Sequence, residues 1–115
     1  MLEPVVFVID DDAAVRDSLG FLIRTIGLQV ETFERPQEFL DAYRPGQIAC
    51  LLLDIRMPGV SGLSFQEELG RLGIQVPIIF ITGHGDVAQC SRAFRAGAAD
   101  FLSKPIDESA LIESI

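Results

Sequence analysis

The sequence predicts an α/β fold in which helices cover both faces of one parallel β-sheet. Short apolar runs alternate with amphipathic helical patterns five times along the chain, which is the order of βαβ units. Several of these runs are apolar at every position, as strands are when both faces of a sheet are covered. The length of 115 residues corresponds to one domain, residues 1–115, and a hydrophobic content of 49% is enough to fill its core.

The first half of the chain contains three of the predicted strands. Residues 5–9 are apolar throughout, and Asp12 is placed to cap the helix that follows them. Gly27 supplies the C-terminal stop of that helix. Residues 28–33 alternate in polarity and predict a half-exposed edge strand, whereas residues 49–53 predict a second buried strand after a short helix.

The second half continues the alternation. Residues 56–62 are rich in Pro and Gly and predict a loop, which leads into a helix over residues 63–72. A third buried strand is expected at residues 76–81, a fourth helix at residues 86–96 and a short last strand at residues 100–103.

The last predicted helix has no stop signal. Leu111, Ile112 and Ile115 keep helical spacing up to the end of the chain, so the fifth helix is expected to be truncated. Either the chain was shortened there or a longer protein continues beyond it, and both alternatives stay open.

Composition excludes some classes of partner. With 17 acidic residues against 9 Lys plus Arg, the net charge is −8, and such a surface repels nucleic acid. No signal-like segment and no membrane-length apolar run is present, so a soluble, cytoplasmic protein without membrane contact is expected. Cys50 and Cys90 lack metal-ligand or redox spacing and are expected to be buried structural thiols.

Reactive side chains follow four of the five predicted strands. They are Asp10 and Asp11 after the first strand, Asp54 after the third, Thr82 after the fourth and Lys104 after the fifth. The carboxyl ends of parallel strands share one edge of the sheet, where ligands bind in open α/β folds. The sequence therefore predicts a site of three carboxylates, a hydroxyl and an ammonium group.

This combination favours phosphoryl chemistry around a divalent cation. Crowded carboxylates repel one another, and Mg²⁺ relieves that repulsion while accepting phosphate oxygens; Mn²⁺ is an alternative. No soft ligands are available, which disfavours zinc or copper. One carboxylate can act as nucleophile, Lys104 can pair with the transferred group, and Thr82 can donate a hydroxyl to it. His84, between two glycines, is favoured as a solvated loop residue over a catalytic base.

Four segments together resemble the signature of response-regulator receiver domains of two-component systems. In order, they are Val8-Ile9-Asp10-Asp11, Leu53-Asp54-Ile55-Arg56-Met57-Pro58 with Gly62, Ile81-Thr82, and Lys104-Pro105. The resemblance covers nearly the whole chain. It implies a flavodoxin-like (CheY-like) three-layer sandwich with five helices and a five-stranded parallel sheet of order 2-1-3-4-5.

The same resemblance implies the roles of the site residues. Asp54 would accept a phosphoryl group from a sensor histidine kinase, and the metal would be held by Asp11, Asp54 and the backbone carbonyl of Arg56, with Asp10 assisting. Beyond its own phosphorylation and autodephosphorylation, such a domain is not an enzyme. Asp12, the third acid in the run, is assigned to the helix cap because it lies one residue further from the strand.

Further implications concern signalling. Thr82 and Phe101 map onto the family's switch positions, although Phe101 fits an ordinary core position equally well, and the Lys104–Pro105 bond is expected to be cis. The stretch at residues 82–86 is similar to the nodulation and nitrogen-fixation (FixJ-like) branch, whose members usually carry a helix-turn-helix output domain for transcription regulation. Here that domain would lie beyond the chain. A phosphorylation-dependent homodimer through the fourth helix and fifth strand is a further expectation.

Three other classes of protein were weighed. A phosphatase of the haloacid dehalogenase type also uses an aspartate nucleophile, but residues 10–14 fail its motif at the last position, and the chain has no room for a substrate-selecting cap. A flavodoxin-like cofactor binder needs a phosphate-cradling loop where this sequence is acidic. A pseudo-receiver normally lacks a key acid or the lysine, and this sequence keeps them all.

Overall fold

The fold was analysed in a computed structural model, which describes residues 4–57, 60–82, 95, 97–103 and 111. The helices are α1 (Ala13–Thr25), α2 (Pro36–Ala42) and α3 (Gly62–Arg71). The strands are β1 (Val5–Ile9), β2 (Gln29–Phe33), β3 (Ala49–Asp54), β4 (Arg56–Met57), β5 (Val60–Ser61), β6 (Ile78–Thr82) and β7 (Asp100–Ser103).

Five strands form one parallel sheet in the order β2-β1-β3-β6-β7. Numbered as the five predicted strands, this order is 2-1-3-4-5, so the predicted topology is confirmed. β1, β3 and β6 occupy the centre, which explains why their residues are apolar on both faces. β2 lies at one edge and is half-exposed, as predicted: Gln29, Glu31 and Thr32 are exposed, whereas Val30 and Phe33 are half-buried.

The two faces of the sheet carry separate hydrophobic clusters because successive strand residues point to opposite sides. One cluster joins β1, β3 and β6 to α2 and α3, with Phe7, Phe39 and Phe65 in edge-to-face contact. The other joins the opposite face to α1 through Leu19 and Ile23 and also includes the buried Leu111. Helices therefore cover both faces, and the two packed layers hold the strand ends in fixed positions.

The first helix begins and ends where the sequence predicts. Asp12 adopts an extended conformation at the N-cap, and its side chain accepts a hydrogen bond from the Ala14 amide. After the last turn Gly27 has φ +87°, a conformation that favours glycine, and its amide donates to the Arg24 carbonyl.

Two predicted boundaries differ from the structure. The predicted strand at residues 76–81 begins only at Ile78, since Pro77 has no amide hydrogen; its carbonyl still accepts from the Leu51 amide at 2.9 Å. The predicted loop at residues 56–62 contains a short antiparallel pair, β4–β5, in which Arg56 pairs with Ser61. Ser61 then caps α3 by accepting the Ser64 amide at 3.0 Å, so that helix starts one residue earlier than predicted.

Of the fourth and fifth predicted helices, only Arg95 and Leu111 lie within the described residues, and both are helical. Within the described part of the chain, no helix combines the length and the apolar character needed to cross a bilayer.

Candidate metal centre

Three carboxylates meet at the carboxyl edge of the central strands. Asp10 and Asp11 follow β1, and Asp54 is the last residue of the neighbouring β3. One carboxylate oxygen from each lies within 4.8 Å of the others, and among the described residues this is the group able to hold a metal ion. Asp10 and Asp54 are 0% and 4% exposed, whereas Asp11 is open to solvent. The site thus has a buried floor and an accessible side.

Asp10 is fixed by contacts through its backbone and its side chain. Its amide donates to the carbonyl of Phe33 in β2 at 3.1 Å, and its Oδ1 accepts the Asp12 amide at 2.9 Å. Its carbonyl accepts a hydrogen bond from Nη1 of Arg16 at 2.7 Å. The turn between β1 and α1 is therefore tied to the sheet on one side and to the helix on the other.

Asp12 has a different role from the two acids before it. Its carboxylate accepts the Ala14 amide at 2.9 Å and caps α1, and it does not belong to the group of converging carboxylates. The predicted helix cap at Asp12 is confirmed, and the roles of Asp10 and Asp11 as site residues stay predictions.

Asp54 is positioned by the close approach of α3. Gly62, the first residue of α3, donates its amide to the Ile55 carbonyl at 2.9 Å. A Cβ added to Gly62 would lie 2.6 Å from the Asp54 carbonyl oxygen and 2.9 Å from the Ile55 Cα. Only glycine permits this packing, which sets the end of β3 against the start of α3.

The donor set suits a hard divalent cation. All three groups that could hold the ion are carboxylates, and two of them are buried close together, an arrangement that a cation would stabilise. Oxygen ligands at this density match Mg²⁺ or Mn²⁺ better than zinc or copper.

The remaining predicted site residues are placed only in part. The backbones of Arg56, Thr82 and Phe101 lie in β4, β6 and β7, and β6 and β7 pair in parallel beside β3, but their side chains are not described. Lys104 and His84 lie outside the described residues, as do Pro105 and Cys90. The roles assigned to these residues stay predictions.

Arg16 was not among the predicted site residues. The available signal was its position, since Arg16 is the fourth residue after the cap of α1 and its long side chain can reach back over the first turn. Its contact with a backbone carbonyl leaves no pattern in the sequence, because every residue type carries that acceptor.

Cys50 is half-buried at the start of β3, at the opposite end of the strand from the carboxylates. Burial raises the pKa of its thiol from 9.0 to about 11. A buried structural thiol was predicted there, and the side chain is less deeply buried than that prediction.

Comparisons with known proteins cover almost the whole chain. A family profile described as "Response regulator receiver domain" matches residues 6–115. Nodulation protein W of Bradyrhizobium diazoefficiens is 49% identical over 111 residues, which are 96% of this chain and 49% of that protein. Transcriptional regulatory protein FixJ of Azorhizobium caulinodans is 47% identical over 110 residues, which are 96% of this chain and 52% of that protein. The chain spans about half the length of the curated relatives it matches.

Solved structures agree with this likeness. The response regulator StyR superposes with a TM-score of 0.91 at 50% identity, over 98% of this chain and 57% of that one. The N-terminal structure FixJ-N superposes with a TM-score of 0.89 at 38% identity, over 99% of this chain and 91% of that one.

Proposed function

Because this chain belongs to the response regulator receiver domains, we propose that Asp54 accepts a phosphoryl group from a phosphohistidine of a sensor histidine kinase. The observation that supports this most is the convergence of Asp10, Asp11 and Asp54, with oxygens within 4.8 Å of one another, at the end of the central strands. Asp54 comes from β3, the strand at the middle of the sheet.

The transfer needs a nucleophile that is held still. A carboxylate oxygen of Asp54 forms a bond to phosphorus while the bond from phosphorus to the donor imidazole nitrogen breaks, and its electron pair returns to the imidazole. The close packing of Gly62 against the Asp54 carbonyl fixes the strand end from which that carboxylate projects. Asp54 is 4% exposed, so the donor reaches it from the open side of the site, where Asp11 lies.

Asp11, Asp54 and the carbonyl of Arg56 would hold Mg²⁺ or Mn²⁺, with Asp10 assisting through a water molecule. When bound, the cation neutralises charge on the phosphoryl oxygens and on the crowded carboxylates. Asp10 keeps its place through the Asp12 amide and the Phe33 carbonyl, so it can orient a ligand without moving.

Thr82 and Lys104 complete the proposal. The backbone of Thr82 ends β6, next to β3, which puts it at the same edge of the sheet as Asp54. A hydroxyl and an ammonium there would each bind a phosphoryl oxygen. Thr82 and Phe101 would then transmit the conformational change that follows phosphorylation to the fourth helix and β7. A homodimer would form through that surface. Phosphorylation and autodephosphorylation would be the only reactions that the domain catalyses.

We further propose an output domain outside this chain, because the relatives are about twice as long. Relatives about twice as long are named transcriptional regulatory proteins, and we assign the same role to the whole protein to which this domain belongs. The net charge of −8 leaves DNA contacts to that output domain.

Intact-protein mass spectrometry after incubation with acetyl phosphate tests the proposal. The unmutated chain should gain one phosphoryl group in Mg²⁺ and none in excess chelator, and Asp54→Asn should gain none in either. Asp17→Asn, at an exposed acid of α1, is the matched control and should behave as the unmutated chain. Phosphorylation of Asp54→Asn would contradict the proposal, and steady turnover of a generic phosphate ester would favour a haloacid dehalogenase-type phosphatase instead.

A further inference from the structure

Arg16 makes a contact that the proposed phosphoryl transfer does not itself require. Its Nη1 donates to the backbone carbonyl of Asp10 at 2.7 Å, and its side chain is half-buried against the turn between β1 and α1. Arg16 is also part of the first turn of α1, because its amide donates to the Asp12 carbonyl at 3.1 Å. One residue therefore connects the helix to the backbone that carries two of the three carboxylates.

The contact bears on Asp11 more than on Asp10. The carbonyl that Arg16 binds belongs to the peptide unit between Asp10 and Asp11. The next peptide unit, between Asp11 and Asp12, is held by its amide, which donates to Oδ1 of Asp10 at 2.9 Å. Peptide units are planar, so fixing the planes on both sides of a Cα fixes the direction of its Cβ. The side chain of Asp11 is exposed, and these two bonds set the direction in which its Cα–Cβ bond leaves the backbone.

From this geometry we infer that Arg16 is a positioning residue, which aims the Asp11 carboxylate at the divalent cation by holding the Asp10–Asp11 peptide unit. The inference rests on the proposed function, because it concerns the cation that the three carboxylates would share. Asp10 needs no such help, since its side chain is buried and its amide is bonded to β2.

Charge and positioning predict opposite results when Arg16 is removed. A cationic side chain close to a cation site repels the metal, so its loss by charge alone would tighten Mg²⁺ binding. Loss of a group that orients a metal ligand weakens binding, typically by about 10-fold or more. The sign of the change in affinity therefore separates the two effects, and a role confined to folding would leave the affinity of the folded protein unchanged.

Isothermal titration of the metal-free protein with Mg²⁺ provides the measurement. Arg16→Met should raise the Mg²⁺ dissociation constant about 10-fold. Arg24→Met removes the same charge from an exposed position in the last turn of α1 and should leave the constant within about 2-fold of the unmutated value. Arg16→Lys keeps a cationic donor and should lie closer to the unmutated chain than Arg16→Met does. Urea unfolding of each variant in metal-free buffer ensures that folded protein is titrated.

Each outcome decides a separate point. Unchanged or tighter Mg²⁺ binding by folded Arg16→Met, while Asp54→Asn loses binding, would overturn the inference and leave the proposed function standing. A poorer affinity in Arg16→Lys than in Arg16→Met would also overturn it. If Asp54→Asn binds Mg²⁺ as well as the unmutated chain does, the proposed metal site itself fails, and the inference falls with it.

Discussion

At the scale of single residues, the position of the end of β3 depends on Gly62, which has no side chain. Gly62 brings the start of α3 so close to the strand that one of its Cα hydrogens, at the position a Cβ would take, faces the Asp54 carbonyl and the Ile55 backbone. The two nearest atoms that an added Cβ would meet are backbone atoms at the end of β3, which cannot move aside as the end of a flexible side chain can, and the third is a ring carbon of the buried Phe80. The glycine therefore controls both the packing of α3 and the position of Asp54.

Gly62→Ala should lower the free energy of unfolding by about 1–3 kcal/mol, because the added methyl group forces α3 away from β3. The matched control is Gly70→Ala in the same helix, where an added Cβ meets nothing within 4 Å. That variant should gain about 0.5–1 kcal/mol from the higher helix propensity of alanine. Urea unfolding monitored by circular dichroism measures both, and equal effects at the two positions would contradict this account of Gly62.

Cys50 gives the fold a pH dependence with a definite sign. Burial raises the pKa of its thiol from 9.0 to about 11, so the unfolded chain loses this proton first. The associated stability is complete below pH 9.0 and is lost as the pH rises towards about 11. The unmutated chain should therefore lose stability relative to Cys50→Ala across this range. Urea unfolding of both proteins from about pH 8 upward measures the difference, and a constant difference would refute the buried-thiol account.

At the scale of elements, a helix cap and two residues of the candidate site lie side by side at the N-terminus of α1. Asp12 stabilises the helix by capping it, whereas the two acids before it project into the site. The capping bond and the proposed metal ligands should therefore be separable by mutation, even though the three acids are consecutive in the sequence.

Asp12→Ala should lower the free energy of unfolding by about 1 kcal/mol, since the Ala14 amide loses its acceptor. The Mg²⁺ affinity of the folded protein should change by less than about 3-fold, because the Asp12 amide still donates to Asp10. Asp11→Ala should show the reverse pattern, with weak Mg²⁺ binding and little loss of stability. Paired urea and calorimetric titrations distinguish them, and loss of Mg²⁺ binding in both variants would show that Asp12 is itself a ligand.

The elements that the sequence predicted well are those with a long hydrophobic pattern. β1 and β3 are apolar on both faces because they are central, and that property is visible in the sequence alone. The β4–β5 pair was not predicted, since two residues in each strand are too few for any periodicity to be recognised. The start of β6 was placed early because Val76 and Pro77 continue the apolar run without joining the ladder.

The candidate site also has a part that could be predicted from the sequence and a part that could not. The convergence of Asp10, Asp11 and Asp54 could be predicted because the carboxyl ends of adjacent parallel strands must share an edge. The contact of Arg16 could not, because it depends on how the turn after β1 folds back over the first turn of α1. Side-chain acceptors can be read from a sequence. Every residue has a backbone carbonyl, so the one that accepts a given hydrogen bond is identified only in the three-dimensional structure.

At the scale of the whole molecule, the fold places like charges together and must tolerate their repulsion. The chain already carries a net charge of −8, and three of its acids have oxygens within 4.8 Å of one another. Such crowding destabilises the metal-free protein, and a cation that binds only the folded state reverses the effect.

Asp54→Asn should therefore be more stable than the unmutated chain without metal, by about 1–2 kcal/mol, and should lose that advantage when Mg²⁺ is added. The unmutated chain should gain about 2.7 kcal/mol at a Mg²⁺ concentration 100 times its dissociation constant. Asp17→Asn, which also removes one negative charge, keeps all three carboxylates and should match the unmutated chain both with and without Mg²⁺. Thermal unfolding with Mg²⁺ and with chelator measures these effects, and equal stabilisation of all three proteins by Mg²⁺ would argue against a specific site.

The most direct measurement of the proposed site is an anomalous difference map from crystals soaked in Mn²⁺. One strong peak should lie about 2.0–2.3 Å from carboxylate oxygens of both Asp11 and Asp54. The Arg56 carbonyl should complete the protein ligands, and Asp10 should approach through water. A peak bound elsewhere, or side chains of Asp11 and Asp54 that turn away from a common centre, would contradict the account.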